Sequence, residues 1–399
     1  MWDRFAHLWR VPELRKRILF TLGAIIIARL GTLIPVPGVD PEQIAQLFRD
    51  QGGGIFSFVN MFTGGALFRF SLFALGVTPY INASIIFSLL TAVIPRLKEL
   101  QQQGREGRRK ITSYTRWATV GLAIVQAATM SMLIRQAAES AGPWFFLTTI
   151  VTLTTGTIFL MWLGERMTEN GIGNGISMII MVGILSRVPT QIQETVLEIT
   201  SGSVSPFWGV ALVALFVAVV AAVTMIQQGQ RKITIQYAKR TAGRRIYGGH
   251  TSHLPIRVNQ GGVIPIIFAS ALLTLPLTLT QWVDSLAFLQ AYLAPGRLVY
   301  VLLYVLLIFF FTYFYSSIVF DPTDVAKNVR ESGGFIPGVR PGRPTADYIS
   351  SVLNRILLIG AVFLASVAAL PYVFSAISGM RGAFIIGGTS LLIVVGVGM

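Results

Sequence analysis

The 399-residue sequence contains no cysteine and few charged residues. Without thiols, the chain can form neither disulfide bonds nor thiolate metal sites. Asp, Glu, Lys and Arg together make up only 12% of the residues, about half of the roughly 25% typical of soluble proteins. Apolar residues make up 53% of the chain. These proportions indicate a protein that lies mostly in lipid.

Ten apolar runs are candidates for membrane-spanning helices, which need about 20 predominantly apolar residues. The first run has about 17 residues, near the lower limit for crossing a bilayer, and no cleavage site for a signal peptidase follows it. The sequence therefore predicts an all-α polytopic protein with a retained first span. The ten runs are Ile18–Ile34, Phe73–Ile94, Ala118–Ile134, Phe145–Leu163, Gly175–Ser186, Phe207–Ile226, Gly262–Leu279, Leu298–Phe320, Ile356–Phe374 and Phe384–Met399.

The basic residues between these runs fall mostly on alternate sides of the predicted membrane. Of the 32 Lys and Arg residues, 25 lie in the segments that are cytoplasmic if the amino terminus is cytoplasmic. This bias is the positive-inside rule. The net charge of +15 is therefore expected to meet anionic lipids and cytoplasmic partners. The predicted cytoplasmic segments are 1–17, 95–117, 164–174, 227–261 and 321–355. The six outer basic residues are Arg49, Arg69, Arg135, Arg187, Arg297 and Arg381, and Arg29 lies inside the first span.

Signatures of catalysis are missing from the sequence. There is no H-E-x-x-H motif, and the three histidines lie in predicted cytoplasmic segments, which argues against an intramembrane zinc protease. The basic run 104–110 lacks the spacing and the Gly-Lys-Ser/Thr ending of a phosphate-binding loop. The glycine-rich tract 171–175 follows no strand, so we interpret it as a break between two helices. We expect a protein that is not an enzyme and that needs neither a cofactor nor a metal.

The polar residues inside the apolar runs are mostly neutral. Asn82, Ser84, Gln126 and Asn259 lie within or beside these runs, where polar groups usually face the interior of a helix bundle. No carboxylate lies near the middle of a run. Ion-coupled pumps generally carry an ionisable group there, so the sequence argues against one. Sodium sites built from carbonyl and hydroxyl oxygens stay possible.

A glycine-rich stretch at 52–67 separates the first two runs. It is too short to span lipid and too apolar for a comfortable position in water. Irregular backbone at membrane depth is tolerated only where protein or a water-filled cavity surrounds it. The stretch is therefore interpreted as a small movable element in a central cavity, and the alternative is an interfacial loop on the outer surface.

Two predicted cytoplasmic loops are much longer than a helix connection needs. In the loop at 227–259, the alternation of Ile233, Ile235 and Tyr237 predicts a strand of a short hairpin. In the loop at 321–347, two prolines and two glycines between residues 335 and 342 indicate a rigid tip. Their arginines suit an acidic protein surface or an RNA backbone. The alternative is a solvated face that only enforces topology.

Six blocks of the sequence resemble the SecY family, whose members form the large subunit of the bacterial protein-translocation channel. The blocks occur in order across nearly the whole chain. They are Asn60–Leu67 (NMFTGGAL), Phe73–Ile81 (FALGVTPYI), Gly171–Ser177 (GIGNGIS), Gly262–Pro265 (GVIP), Phe335–Gly342 (FIPGVRPG) and Gly387–Ile393 (GGTSLLI).

The resemblance implies two pseudo-symmetric halves of five spans, residues 1–190 and 191–399, around an hourglass pore. It implies a ring of aliphatic side chains at the constriction, with Val77 where relatives usually carry Ile. The implied ring residues are Val77, Ile81, Ile180, Ile267 and Ile393. The implied plug residues, within 55–67, are Ile55, Phe58, Asn60, Met61, Phe62, Gly64 and Gly65. The implied lateral gate, through which hydrophobic segments leave for lipid, contains Asn82, Gln126 and Asn259.

The resemblance also implies partners. Arg244, Arg245 and Arg340 correspond to loops that engage the ribosome or the SecA ATPase motor, and SecE and SecG are the expected membrane subunits. The substrates would be secretory and membrane proteins with signal sequences, and the location would be the bacterial cytoplasmic membrane. Members normally continue beyond the tenth span into a charged tail, so a truncated sequence is expected. The competing classes are a small-molecule secondary transporter and a scaffold for other membrane proteins.

Overall fold

The computed structural model describes residues 11–50, 60, 62–135, 142–202, 204–237, 240–242, 245–247, 251–279, 292–293, 297–379 and 389–399. These residues are predominantly helical, and each of the ten predicted runs overlaps a helix. Within the described ranges, five helices are long and apolar enough to span a membrane, or six if one bent pair counts as a span. The all-α fold class is therefore confirmed, while the number ten stays a prediction.

The described chain divides into two compact units, one containing the residues up to 202 and the other most of those from 204 to 396. In the first unit, α1 packs against α6 and α7, and α5 packs against both α3 and α6. Its helices are α1 (Pro12–Gly31), α2 (Pro41–Asp50), α3 (Thr78–Val93), α4 (Pro95–Gln102), α5 (Arg105–Leu133), α6 (Pro143–Asn170), α7 (Gly175–Leu185) and α8 (Val188–Thr200).

A proline breaks the second predicted run. Helices α3 and α4 meet at an angle of 100°. The residue between them, Ile94, is extended, with φ −92° and ψ 114°. The ring of Pro95 disfavours a helical conformation for the residue before it, so the chain turns there. The charged residues Arg96, Lys98 and Glu99 therefore lie in α4, which runs in a different direction from α3.

The glycine tract at 171–175 separates two helices, as the sequence predicted. Helix α6 ends at Asn170, and α7 begins at Gly175, where the side chain of Asn174 accepts a hydrogen bond of 3.1 Å from the amide of Ser177. A Cβ on Gly175 would overlap the carbonyl oxygen of Gly164. The small residues therefore let α7 lie directly against α6, which is how many membrane helices pack.

The second unit combines helices with a small sheet. Helix α11 packs against α10 and α13, and α12 packs against α13. Its helices are α9 (Pro206–Gln228), α10 (Ile264–Leu279), α11 (Leu298–Val319), α12 (Pro322–Glu331), α13 (Arg343–Ser378) and α14 (Thr389–Gly398). Its strands are β1 (Gln230–Tyr237), β2 (Arg240–Ala242), β3 (Arg245–Tyr247), β4 (Thr251–Arg257) and β5 (Gly334–Phe335).

The predicted hairpin strand is confirmed, and it joins the two long loops. Strand β1 pairs antiparallel with β4 along its length and, at Gln236 and Tyr237, with β5 from the other loop. Ile233 and Ile235 are buried while their neighbours are more exposed, as the alternation predicted. Ile233 packs with Ile349 and Leu353 of α13. The first turns of α13 therefore support the sheet.

Some predicted boundaries were wrong. Helix α13 begins at residue 343, whereas the sequence placed 343–355 in a loop, because Gly342 and Pro344 start a helix whose inner face meets the sheet. Helix α8 occupies part of the predicted outer loop after residue 186, and its buried Gln191 and Thr195 carry no apolar signal. Hydropathy detects only the part of a helix that lies in lipid.

Candidate functional site

Tight turns connect the amino-terminal unit's glycine-rich stretch to α3. Asn60 is buried, its Oδ1 accepts a hydrogen bond of 3.1 Å from the amide of Phe68, and its carbonyl oxygen accepts one of 2.9 Å from the amide of Gly65. Leu67 and Phe70 are fully buried in a cluster with residues of α5 and α6. The turns at 62–77 are therefore fixed on the helices around them. Ile55, Phe58 and Met61 lie outside the described residues.

Gly64 is the point where this stretch is held. Its carbonyl oxygen accepts hydrogen bonds from Nη1 and Nη2 of Arg29 in α1, each with a nitrogen–oxygen distance of 3.4 Å. Gly64 has a φ of +66°, and a Cβ there would collide with Nη1 of Arg29 and lie 2.9 Å from Cα of Gly183 in α7. The backbone is therefore clamped between α1 and α7, in a space that no larger residue fits.

A cavity of about 30 Å³ lies beside this clamp. Its lining comes from α1, α6, α7 and the turns at 62–77, so it lies wholly within the first unit. The lining residues are Ile25, Ala28, Arg29, Thr32, Phe62, Thr63, Phe73, Gly76, Val77, Leu160, Ile179, Val182 and Gly183. The predicted ring residue Val77 and the predicted plug residue Phe62 therefore border one small space.

The five predicted ring residues lie at α3 and α7 in the first unit and in α10 and α14 in the second. Val77 caps the start of α3, and its carbonyl oxygen accepts a hydrogen bond of 3.0 Å from the amide of Ile81, one helical turn later. Val77, Ile180 and Ile393 are at most 5% exposed, whereas Ile81 and Ile267 are partly exposed. The apolar character predicted for these positions fits their surroundings. Their meeting around one axis stays a prediction.

The predicted gate residues include two buried amides with unsatisfied oxygens. Asn82 in α3 and Asn259 before α10 are each 7% exposed. Nδ2 of Asn259 donates a hydrogen bond of 3.0 Å to the carbonyl oxygen of Gly262, but Oδ1 of both asparagines has no hydrogen-bond partner among the described residues. A buried polar atom without a partner costs about 1–3 kcal/mol. Gln126 in α5 is partly exposed.

The predicted partner-binding residues lie on the joined loops of the second unit. Arg340 is exposed, between Gly338 and Gly342, which both have positive φ angles. Its carbonyl oxygen accepts a hydrogen bond of 2.9 Å from Oγ1 of Thr345, which ties the tip to α13. Arg245 lies in β3, its side chain is outside the described part of the structure, and Arg244 is outside it altogether.

Sequence reasoning noticed Arg29 but gave it no role. It lies inside the first predicted span, in the last turn of α1, and an ionisable group within a span is in itself a sign of function. The second partner of the clamp, Gly183, was missed, because a glycine within an apolar helix looks like ordinary helix packing. Only the approach of Gly183 to Gly64 shows what its small size allows.

A model of the SecY family matches residues 71–399 of this chain. The chain belongs to the SecY family. It is 46% identical over 410 aligned residues to the protein translocase subunit SecY of Thermotoga maritima, and the alignment covers 100% of this chain and 94% of that protein. The resemblance inferred from the six sequence blocks is therefore confirmed, and with it a multi-pass membrane protein.

Two solved structures show the same fold. A structure described as that of a protein conducting channel has a TM-score of 0.68 and 18% sequence identity, with 96% of this chain and 90% of that one covered. Sec61 in the canine ribosome-channel complex from the endoplasmic reticulum has a TM-score of 0.64 and 17% identity, with the same coverage. These neighbours identify the SecY-family chain as having the channel fold.

Proposed function

We propose that the chain is a passive channel that conducts unfolded polypeptides across the bacterial cytoplasmic membrane and releases hydrophobic segments sideways into lipid. The observation that carries this proposal is the match to a protein translocase subunit along the whole chain. Composition fits a passive role, since no carboxylate lies near the middle of an apolar run. Energy would come from a ribosome or from a motor.

The conducting path would lie between two pseudo-symmetric halves, residues 1–190 and 191–399, with five aliphatic residues at its narrowest point. A narrow apolar ring expels water and its dissolved ions, yet flexible side chains can yield around a passing peptide. Support comes from the aliphatic nature of all five positions and from the burial of three. The ring residues would be Val77, Ile81, Ile180, Ile267 and Ile393.

The plug would be the glycine-rich stretch at 55–67. Its described residues are Asn60 and 62–67, and Arg29 and Gly183 hold Gly64 in place. A peptide entering the pore would displace the stretch and leave Arg29 free for solvent.

The lateral gate would contain Asn82, Gln126 and Asn259. The unsatisfied amide oxygens of the two asparagines support this role, because each would gain hydrogen bonds when water or a peptide backbone reaches it. The unsatisfied oxygens would therefore make the closed gate less stable and easier to open. A hydrophobic signal sequence would be favoured at the gate by burial of its apolar surface.

The exposed tip around Arg340 and the neighbouring Arg244 and Arg245 would be the docking surface for the SecA motor or the ribosome. Sheet pairing joins both loops into one surface, and α13 supports it. A structural neighbour is a channel in complex with a ribosome, which supports this kind of partner. SecE, SecG and anionic lipids would complete the assembly in the membrane, with the amino terminus in the cytoplasm.

The ring is tested by single-channel conductance of the reconstituted channel at rest. The variant Ile81→Asn, alone and combined with Ile180→Asn, should leave translocation possible and make the resting pore conduct ions, because asparagine lets water wet the ring. The matched control is Ile86→Asn on the same helix, at a position that is 40% exposed. Equal conductance of the parent, the control and the ring variants would show that the ring is wrongly assigned.

The channel as a whole is tested by crosslinking. A nascent polypeptide arrested during export should crosslink to a photoreactive group at position 81 and not to one at position 86. Saturable uptake of a small molecule without a motor or ribosome would instead support a secondary transporter. An absence of conductance in every ring variant would support a scaffold.

A further inference from the structure

The guanidinium of Arg29, in the last turn of α1, belongs to a partly buried cation without a carboxylate partner among the described residues. The ion pairs found in those residues involve Arg116, Arg166 and Lys327, and none reaches Arg29. The charged group that acts on Arg29 from nearby is Arg69, a second cation. The carbonyl oxygen of Gly64 accepts hydrogen bonds from Arg29, but it is neutral and does not compensate the positive charge. Buried charges in proteins are normally paired.

The donors of this guanidinium exceed the acceptors around it. Arginine carries five N–H groups in a planar fork, and the carbonyl oxygen of Gly64 accepts from two of its nitrogens. Thr32 and Thr63, which also line the cavity, add hydroxyl oxygens, but these are neutral and cannot balance the charge. The cavity is the space beside Arg29 into which a further acceptor can fit.

The size and lining of the cavity restrict what that acceptor can be. About 30 Å³ is room for one or two small particles, because a cavity needs about 10–15 Å³ in the same measure to hold one water molecule. Most of the lining is aliphatic or aromatic, including Ile25, Val77 and Leu160. Such a lining favours a weakly hydrated ion over a strongly hydrated one.

We propose that a halide ion, chloride under ordinary conditions, binds in this cavity as the counter-ion of Arg29. A neutral water could fill the same volume but would leave the charge unbalanced. The ion would contact α1, the turns at 62–77 and α7 together, since all three line the cavity. It would therefore strengthen the clamp on Gly64, and chloride would stabilise the resting conformation of this unit.

The proposal is tested by thermal unfolding of the full-length protein, purified with the membrane subunits that accompany it, in chloride and in gluconate at equal ionic strength. Gluconate is a much larger and more strongly hydrated anion than chloride, and the apolar lining disfavours it. A ligand that binds only the folded state raises Tm, so the parent should unfold about 2–4 °C higher in chloride. Arg29→Gln should abolish this difference. The matched control, Arg69→Gln, removes an exposed neighbouring cation outside the cavity and should keep it.

Three outcomes would overturn the proposal. They are equal Tm values for the parent in the two salts, a chloride effect in Arg29→Gln as large as in Arg69→Gln, and loss of the effect in Arg69→Gln alone. If Arg29→Gln cannot be purified, crystals of the parent soaked in bromide decide the question. An anomalous peak within about 3.5 Å of the Arg29 guanidinium nitrogens supports the site, and its absence there refutes it. Neither measurement depends on transport, so the proposed function stands or falls separately.

Discussion

The clamp on Gly64 predicts that a single methyl group opens the resting channel. Replacing Gly64 by alanine places a Cβ against Nη1 of Arg29 and 2.9 Å from Cα of Gly183. The methyl group must displace one of them, so the hydrogen bonds from Arg29 to the Gly64 carbonyl are lost or weakened. The adjacent Gly65 offers a matched control. It also has a positive φ, of +92°, but a Cβ there would meet no atom of the described residues within 4 Å.

The two alanine variants share one energetic penalty and differ in a second. A left-handed conformation costs an alanine about 1–2 kcal/mol, and this applies at both positions. Loss of the long hydrogen bonds from a charged donor costs about 1.5 kcal/mol more, and this applies only at Gly64. Since 1.4 kcal/mol is a factor of ten, Gly64→Ala should increase the displaced fraction of the proposed plug about tenfold more than Gly65→Ala.

The measurement is the ion conductance of reconstituted channels in the absence of substrate. Gly64→Ala should open far more often than Gly65→Ala, which should exceed the parent only modestly. The amount and Tm of the purified variants provide the control for misfolding. Equal opening of the two variants would refute the reasoning, because it would mean that backbone strain, and not contact with Arg29 and α7, governs the seal.

Three further predictions concern the docking surface, the gate and the packing of α7. Arg340→Glu should abolish SecA-driven transport in vesicles while membrane insertion stays normal. Arg297→Glu makes the same charge change on the predicted outer side and should transport normally. Equal transport by the two variants would contradict the proposed docking surface. Asn82→Leu removes a buried unsatisfied amide, so it should raise Tm and slow signal-sequence-dependent opening, and a lower Tm would show that the amide is satisfied in the resting channel. Gly175→Val forces α7 from α6 and should cost about 1–3 kcal/mol or more, seen as a lower Tm. The same change at Gly121 in α5, where a Cβ meets no described neighbour within 4 Å, should lower Tm less, and equal values would exclude the close contact.

Much of the fold was predictable because lipid imposes simple requirements. Each apolar run overlaps a helix, since backbone polar groups in a bilayer must bond within their own segment. The alternation at residues 233–237 predicted β1, because one face of that strand meets α13. The glycine tract at 171–175 predicted a break, because its glycines allow a turn and a close approach to α6.

The sites were less predictable, because they depend on contacts between distant parts of the chain. The burial of Asn82 and Asn259 with unsatisfied oxygens could not be read from their positions beside apolar runs. Helix α8 buries Gln191 and Thr195, so its inner face resembles an exposed one in sequence. The ring positions came from family resemblance, since an isoleucine in an apolar helix has the same hydropathy whether it faces a pore, a neighbour or lipid.

The weakness of the clamp is consistent with a seal that must open for every substrate. The two nitrogen–oxygen distances from Arg29 to Gly64 are 3.4 Å, beyond the usual range of about 2.7–3.2 Å. Hydrogen bonds from a charged donor contribute about 1.5–3 kcal/mol, so these long bonds should contribute about 1.5 kcal/mol. A peptide segment entering the pore can exceed this by burying a single leucine-sized side chain, worth about 1.5–3 kcal/mol. Ions cannot, because the proposed apolar ring does not replace the water that an ion would have to lose in passing it. The same contacts can therefore hold the resting channel shut to ions and still give way to a polypeptide.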